Sequence, residues 1–129
     1  EVGVLPGVTT LPTPGHTPGH LSFRLESDGR RALVLGDAVH CPLQLTHPEW
    51  NYVGDVVPDA ARRAREQLVR ELEDPDMVAV GAHFTDAVFG RVLAGTSPRR
   101  VAFDVVAPAP VQALAPEAPS DALFLPALD

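Results

Sequence analysis

The sequence predicts an α/β fold, and three observations point to it. Leu21, Phe23 and Leu25 alternate with Ser22, Arg24 and Glu26, the period of a strand half-buried on one face. The runs Ala32–Leu35 and Met77–Val80 are continuously apolar, as in strands covered on both faces. Between these runs Ala60, Ala64, Leu68 and Leu72 recur every four residues, which draws one apolar stripe along a helix.

The elements follow in order. Val2 to Thr10 reads as a short extended segment broken by Pro6 and Gly7. Pro12 to His20 carries three prolines and two glycines in nine residues, so neither helix nor regular strand is expected there. The Leu21–Leu25 strand runs into Ser27-Asp-Gly-Arg30, a hairpin turn in which Asp28-Gly29 supplies positive φ. The Ala32–Leu35 strand comes next. Gly36 to Val57 is irregular and of a length usually kept for function, with Trp50 and Tyr52 arguing for an ordered loop. Pro58-Asp59 opens a helix reaching about Glu73, where Asp74-Pro75 stops it. Arg62–Glu66 and Glu66–Arg70 are spaced to pair on its wet face, and the helix arginines read as solvated. Met77–Val80 is the next strand, Phe89 to Ala94 is expected to be a short helix, and Val101 to Val106 a last strand. From Ala107 to Asp129 five prolines fall among many alanines and few charges, the composition of a mobile tail. The folded part is therefore expected over residues 1–106.

Composition narrows the functional classes. The 129 residues suit one small domain, and 45% hydrophobic with 21% charged residues is ordinary for a globular chain. Net charge is −7 and no basic run occurs, which speaks against nucleic acid or an anionic membrane as partner. No apolar run approaches the roughly 20 residues needed to span a bilayer. A single cysteine, Cys41, excludes an intrachain disulfide and a Cys-rich zinc module, and fits a reducing, cytoplasmic setting.

The polar residues with chemical potential stand next to the buried runs. His16 and His20 sit in the Pro/Gly turn before a strand, Asp37 follows Leu33-Val-Leu-Gly36, and His83 follows Met77-Val-Ala-Val-Gly81. Loops beyond strand ends gather ligands in α/β sheets. Two imidazoles and a carboxylate arriving there suit a borderline metal such as zinc. Each residue alone has a plainer reading: a turn histidine is usually a surface residue, and an Asp after Gly is usually a turn or cap residue.

Taken together, Thr13-Pro-Gly-His-Thr-Pro-Gly-His20, a strand, then Leu35-Gly-Asp37, resemble the second half of the metallo-β-lactamase fold. Gly81-Ala-His-Phe84 with Phe89-Gly-Arg-Val92 resembles the stretch that carries that family's last ligand histidine. The likeness covers roughly Val2 to Val106 and is nearest the lactonase and organophosphate-hydrolase branch. It implies the second half of an αββα sandwich, a mixed sheet with one long helix. It also implies zinc, two ions in the complete protein, with manganese or iron as other candidates. His16 would ligate the first metal, Asp37 would bridge both, His83 would ligate the second, and His20 would fix the loop. The implied reaction is cleavage of an ester, lactone or phosphoester bond in a small-molecule substrate by a metal-bound hydroxide. Asp37 and His40 are the candidate catalytic residues. His40 stands where lactonases of this branch carry a tyrosine, so it either bonds a substrate oxygen or satisfies the loop. Trp50 and Tyr52 either line a pocket or anchor the loop, and His47 reads as structural.

The family's HxHxDH signature is nowhere in these 129 residues. The missing N-terminal half of the fold is therefore an expected partner, and the chain alone is expected to be inactive. The same absence predicts exposed apolar sheet and helix surface that favours association, including a homo-oligomer. Two readings from other classes stand beside this one: a non-catalytic binding module that keeps the fold, and a thiol hydrolase using Cys41 with His40 or His47.

Overall fold

The computed structural model describes residues 1–84 and 88–104. Its first strands, β1 (Val2–Leu5) and β2 (Val8–Pro12), pair antiparallel across a turn at Pro6-Gly7, so the single extended segment expected there is a hairpin. β3 (Leu21–Ser27) pairs with β2 and returns through Asp28-Gly29 into β4 (Arg30–Val34). A 3-10 turn at Gly36–Ala38 and a single helical turn, α1 (Leu43–Thr46), give order to the long irregular loop. The long helix α2 (Pro58–Leu72) begins with Pro at its first turn, and Asp59 there complements the helix dipole. It carries the chain to β5 (Met77–Val80), which lies parallel to β4.

A helix was expected over Phe89–Ala94; the segment is instead β6 (Phe89–Leu93), antiparallel to β5 and to β7 (Arg100–Asp104). The reason is its alternation: Gly90 and Val92 are buried while Phe89, Arg91 and Leu93 are exposed. A two-residue period fits a strand between two partners, which also take up its backbone hydrogen bonds. The result is a mixed seven-stranded sheet in sequential order, β1 to β7. The expected tail, 107–129, and the last residues of the expected final strand lie outside the described residues.

The two faces of the sheet differ. One face packs on α2 and α1, where Leu11, Leu33, Leu35, Leu45, Leu68, Val69, Leu72, Met77, Ala79, Phe84 and Val92 form a continuous core. Arg24 on β3 ties this face to the helix through Glu71 at 2.6 Å. On the opposite face the register aligns Thr10, Phe23, Val34, Val80 and Phe89 in one row, and Val8, Leu25, Ala32 and Val78 in the next. No described helix covers these rows, and their side chains are half-buried or exposed. β4 and β5 were expected to be covered on both faces; among the described residues they are covered on one. In β3 the deeply buried position is Ser22, not its apolar neighbours.

Helix α2 corrects a further expectation. Its buried stripe is Ala61, Ala64, Arg65, Leu68, Val69 and Leu72, so one of the arginines read as solvated lies wholly inside. Arg62 does pair with Glu66 on the outer side, at 2.7 Å.

Candidate metal centre

Four segments deliver the polar groups to one end of the sheet. The Pro/Gly turn between β2 and β3 is seated on the start of α2: Gly15 and His16 accept hydrogen bonds from the backbone N–H of Val57 and Val56. Gly15 has a φ of +143° and touches the helix so closely that a Cβ would overlap the Ala61 backbone nitrogen. Gly36, at φ +56°, turns the chain after β4 so that Asp37 faces the same space. A Cβ on Gly36 would lie 2.8 Å from His20 Nε2.

His20 explains that closeness. Its Nε2 accepts the Asp37 backbone N–H at 2.9 Å, which leaves Nδ1 protonated and donating to Thr13 Oγ1 at 2.8 Å. The Thr13 hydroxyl then donates to Ser22 Oγ at 3.0 Å, and Ser22 donates to the Leu35 carbonyl at 3.1 Å. Every proton in this chain is assigned by its last acceptor, a carbonyl that cannot donate. Both ring nitrogens of His20 are thus engaged, and its role is to hold the Asp37 backbone. Burial pushes its pKa below the usual imidazole value.

His16, Asp37, His40, Tyr52 and His83 line an open cleft of about 520 Å³. Asp37 lies between two imidazoles: His83 Nε2 is 2.7 Å from Oδ1 and His16 Nε2 is 3.9 Å from Oδ2. The hydrogen bond from His83 holds the Asp37 carboxyl below the usual carboxylate range, against the opposing effect of burial. The His40 ring stacks between Tyr52, at 3.8 Å between centroids, and His83, at 4.9 Å. Burial, then the neighbouring His16 and His83, push the His40 pKa down. An imidazole kept neutral retains the lone pair that a metal or a donated proton needs.

Sequence reasoning left Tyr52 open between pocket and anchor, and it lines the cleft. Trp50 does not: it is stacked on His47 at 4.7 Å, and His47 pairs with Glu49 on the surface. Cys41 is unpaired and is not among the residues lining the cleft. Of two buried residues beside the cleft, Asp55 was missed and Arg65 was read as solvated. Asp55 is 3.4 Å from His16 Nδ1 through Oδ1 and 3.0 Å from Arg65 through Oδ2. Arg65 had a signal, a charge in the middle of the apolar stripe of α2; Asp55, in an irregular loop, had none. A second concavity of about 650 Å³ lies on the uncovered sheet face, among Leu25, Ala32, Val78 and Phe89. Its apolar floor is rimmed by Ser27, Asp28, Arg30 and Arg31, and it lacks a histidine.

The donor set fits a divalent metal. One donor atom from each of Asp37, His40 and His83 falls within 4.8 Å of the others, and the same holds for His16, His40 and Asp55. Imidazole nitrogens with carboxylate oxygens are the mixture a borderline cation prefers. A carboxylate between two imidazoles also has an oxygen for each of two ions.

The metallo-beta-lactamase superfamily model matches residues 1–83, and the chain belongs to that superfamily. Three solved structures show the likeness of fold. AidC, a dizinc quorum-quenching lactonase, is 21% identical with a TM-score of 0.71, over 80% of this chain and 35% of that one. The hydrolase AbOPH of the beta-lactamase superfamily is 23% identical with a TM-score of 0.68, over 80% and 35%. An N-acyl homoserine lactone hydrolase, with N-hexanoyl-L-homoserine bound at its catalytic metal centre, is 26% identical with a TM-score of 0.56, over 65% and 33%. The chain thus spans about a third of the length of these structures. No curated protein matches the sequence.

Proposed function

We propose that these residues carry one side of the two-metal centre of a hydrolase acting on an ester, lactone or phosphoester bond. The observation that carries the reading is Asp37 set between His16 and His83, each delivered from a different strand end into one cleft. His16 would hold one ion, His83 the other, and Asp37 both. When bound, the metals, zinc by the donor chemistry, would polarise the scissile group and activate water. His20 keeps the Asp37 backbone in place. His40, neutral and facing the cleft, would hydrogen-bond a substrate oxygen, with Tyr52 stacked behind it.

Three donors leave both ions short of the usual four ligands. The remainder would come from an HxHxDH-bearing segment outside these 129 residues, packed on the uncovered sheet face. Its size is in keeping with the two thirds of AidC that this chain does not match. The chain by itself would then lack activity. The unpaired Cys41 accords with a cytoplasmic setting.

The test joins this chain to the HxHxDH-bearing half of a structurally similar lactonase. The joined protein should take up about two zinc ions and open a simple lactone, while the chain alone should do neither. Asp37→Ala should abolish both properties. If metal content and turnover are unchanged by Asp37→Ala, the assignment is wrong. If the joined, folded protein takes up no metal, the binding-module reading takes its place.

A further inference from the structure

Asp55 lies behind the cleft with its side chain wholly buried, yet its Oδ1 has no hydrogen-bond partner. His16 Nδ1 and His40 Nδ1 are buried and unpartnered as well. Buried polar atoms without partners are rare, so two that face each other, on Asp55 and His16, need a reason. The distances supply one: His16 Nδ1 is 3.4 Å from Asp55 Oδ1, and a ring nitrogen of His40 lies within 4.8 Å of both residues' donor atoms.

The other oxygen of Asp55 is fixed. Oδ2 accepts from Arg65 Nη1 at 3.0 Å and from the Tyr52 backbone N–H at 3.1 Å. Arg65 is itself fully enclosed. It donates to the Pro48 and Ala38 carbonyls and to Asn51 Oδ1 as well as to Asp55. A guanidinium clamped from four sides leaves the carboxylate no freedom to rotate away from His16.

We propose that Asp55, locked by Arg65, is a positioning residue that holds His16 in the tautomer protonated at Nδ1. Its Oδ1 accepts from the Nδ1–H, which keeps the proton on Nδ1 and leaves the Nε2 lone pair on the side of Asp37. A histidine that donates its far nitrogen to a carboxylate is a better and better-aimed ligand at its near one. That the near nitrogen meets a metal rests on the function proposed above; the tautomer does not.

The variant Asp55→Asn separates the two possibilities sharply. Arg65 and the Tyr52 N–H are donors, so the amide oxygen must take the place of Oδ2. The amide NH₂ then takes the place of Oδ1 and donates to His16 Nδ1. The clamp should therefore invert the His16 tautomer, from Nδ1–H to Nε2–H. Two-bond ¹⁵N–¹H correlation on the full chain with labelled histidine, at a pH where imidazoles are neutral, reads this directly.

In the unsubstituted chain, Nδ1–H at His16 supports the proposal and Nε2–H overturns it, whether or not the variant folds. In a folded Asp55→Asn chain, inversion supports it and an unchanged Nδ1–H overturns it. In the joined, metal-binding protein Asp55→Asn should weaken zinc affinity by about 10–100-fold, the usual effect of losing such a partner. Unchanged affinity there overturns the metal end of the proposal. If the unsubstituted joined protein binds no zinc, the function proposed above fails, while the tautomer still decides the role of Asp55.

Discussion

Gly15 and Gly36 set the distance between His16 and Asp37, and each does so by lacking a Cβ. At Gly15 the conflict is with the backbone of Ala61, which cannot move without α2. Gly15→Ala should therefore destabilise the chain by about 3 kcal/mol or more, combining backbone strain with overpacking. Gly36→Ala meets the His20 ring edge instead, at 2.8 Å, and that ring can shift by breaking its bond to the Asp37 N–H. It should cost less stability but disturb Asp37, which urea unfolding and metal uptake measured together would reveal. His20 also sets a pH limit. Its folded pKa lies below that of an ordinary imidazole, so the unfolded chain binds more protons than the folded one as pH falls through the imidazole range. His40 acts in the same sense. Stability of the metal-free chain should be full above about pH 7 and decline below about pH 6.5, before any carboxylate titrates. Urea midpoints across that range check it, and midpoints that rise on acidification contradict it.

At the scale of elements, α2 joins the fold to the site. Its apolar stripe covers the sheet, and Arg65 within that stripe reaches across to Asp55 and so to His16. Replacing Arg65 with Leu leaves the Asp55 carboxylate buried and unpaired, which should cost about 3–5 kcal/mol. Adding Asp55→Asn to Arg65→Leu should return part of that loss, because the charge is gone; two additive losses in urea unfolding would contradict the coupling. This contact shows what the sequence could and could not yield. The helix, the strands around Phe23, Leu33 and Ala79, and the convergence of His16, Asp37 and His83 on one cleft were legible, because periodicity and short motifs are local. The Asp55–Arg65 pair joins residues from a loop and a helix, and no local pattern encodes such a contact. β6 misled for a related reason: Phe89-Gly-Arg-Val-Leu93 is too short to declare a period, and its partners β5 and β7 decide its form. In β3 the alternation was legible, but which of its two sides meets the helix was not. Ser22 goes inside because the chain from His20 to the Leu35 carbonyl requires a hydroxyl there.

The whole molecule is a sheet with one face covered by the described helices and the other bare of them. Among the described residues the bare face is apolar from Phe23 to Phe89 in one row and from Val8 to Val78 in the next, and its concavity of about 650 Å³ has Leu25, Ala32, Val78 and Phe89 in it beside a rim of Ser27, Asp28, Arg30 and Arg31. Water against such a surface is a standing drive for association, since each aliphatic side chain buried gains about 1.5–3 kcal/mol. The 129-residue chain on its own should therefore sediment as a species whose mass rises with concentration. Leu25→Gln with Phe89→Ser should return it towards the monomer while lowering the melting temperature only slightly, because neither residue belongs to the core against α2. The same double substitution should weaken the union with an HxHxDH-bearing half, because self-association and completion of the fold compete for one surface. Joining that half should, conversely, suppress association of the unsubstituted chain. A monomer at all concentrations, or association that survives Leu25→Gln with Phe89→Ser, would mean that the bare face is not where this chain meets its complement.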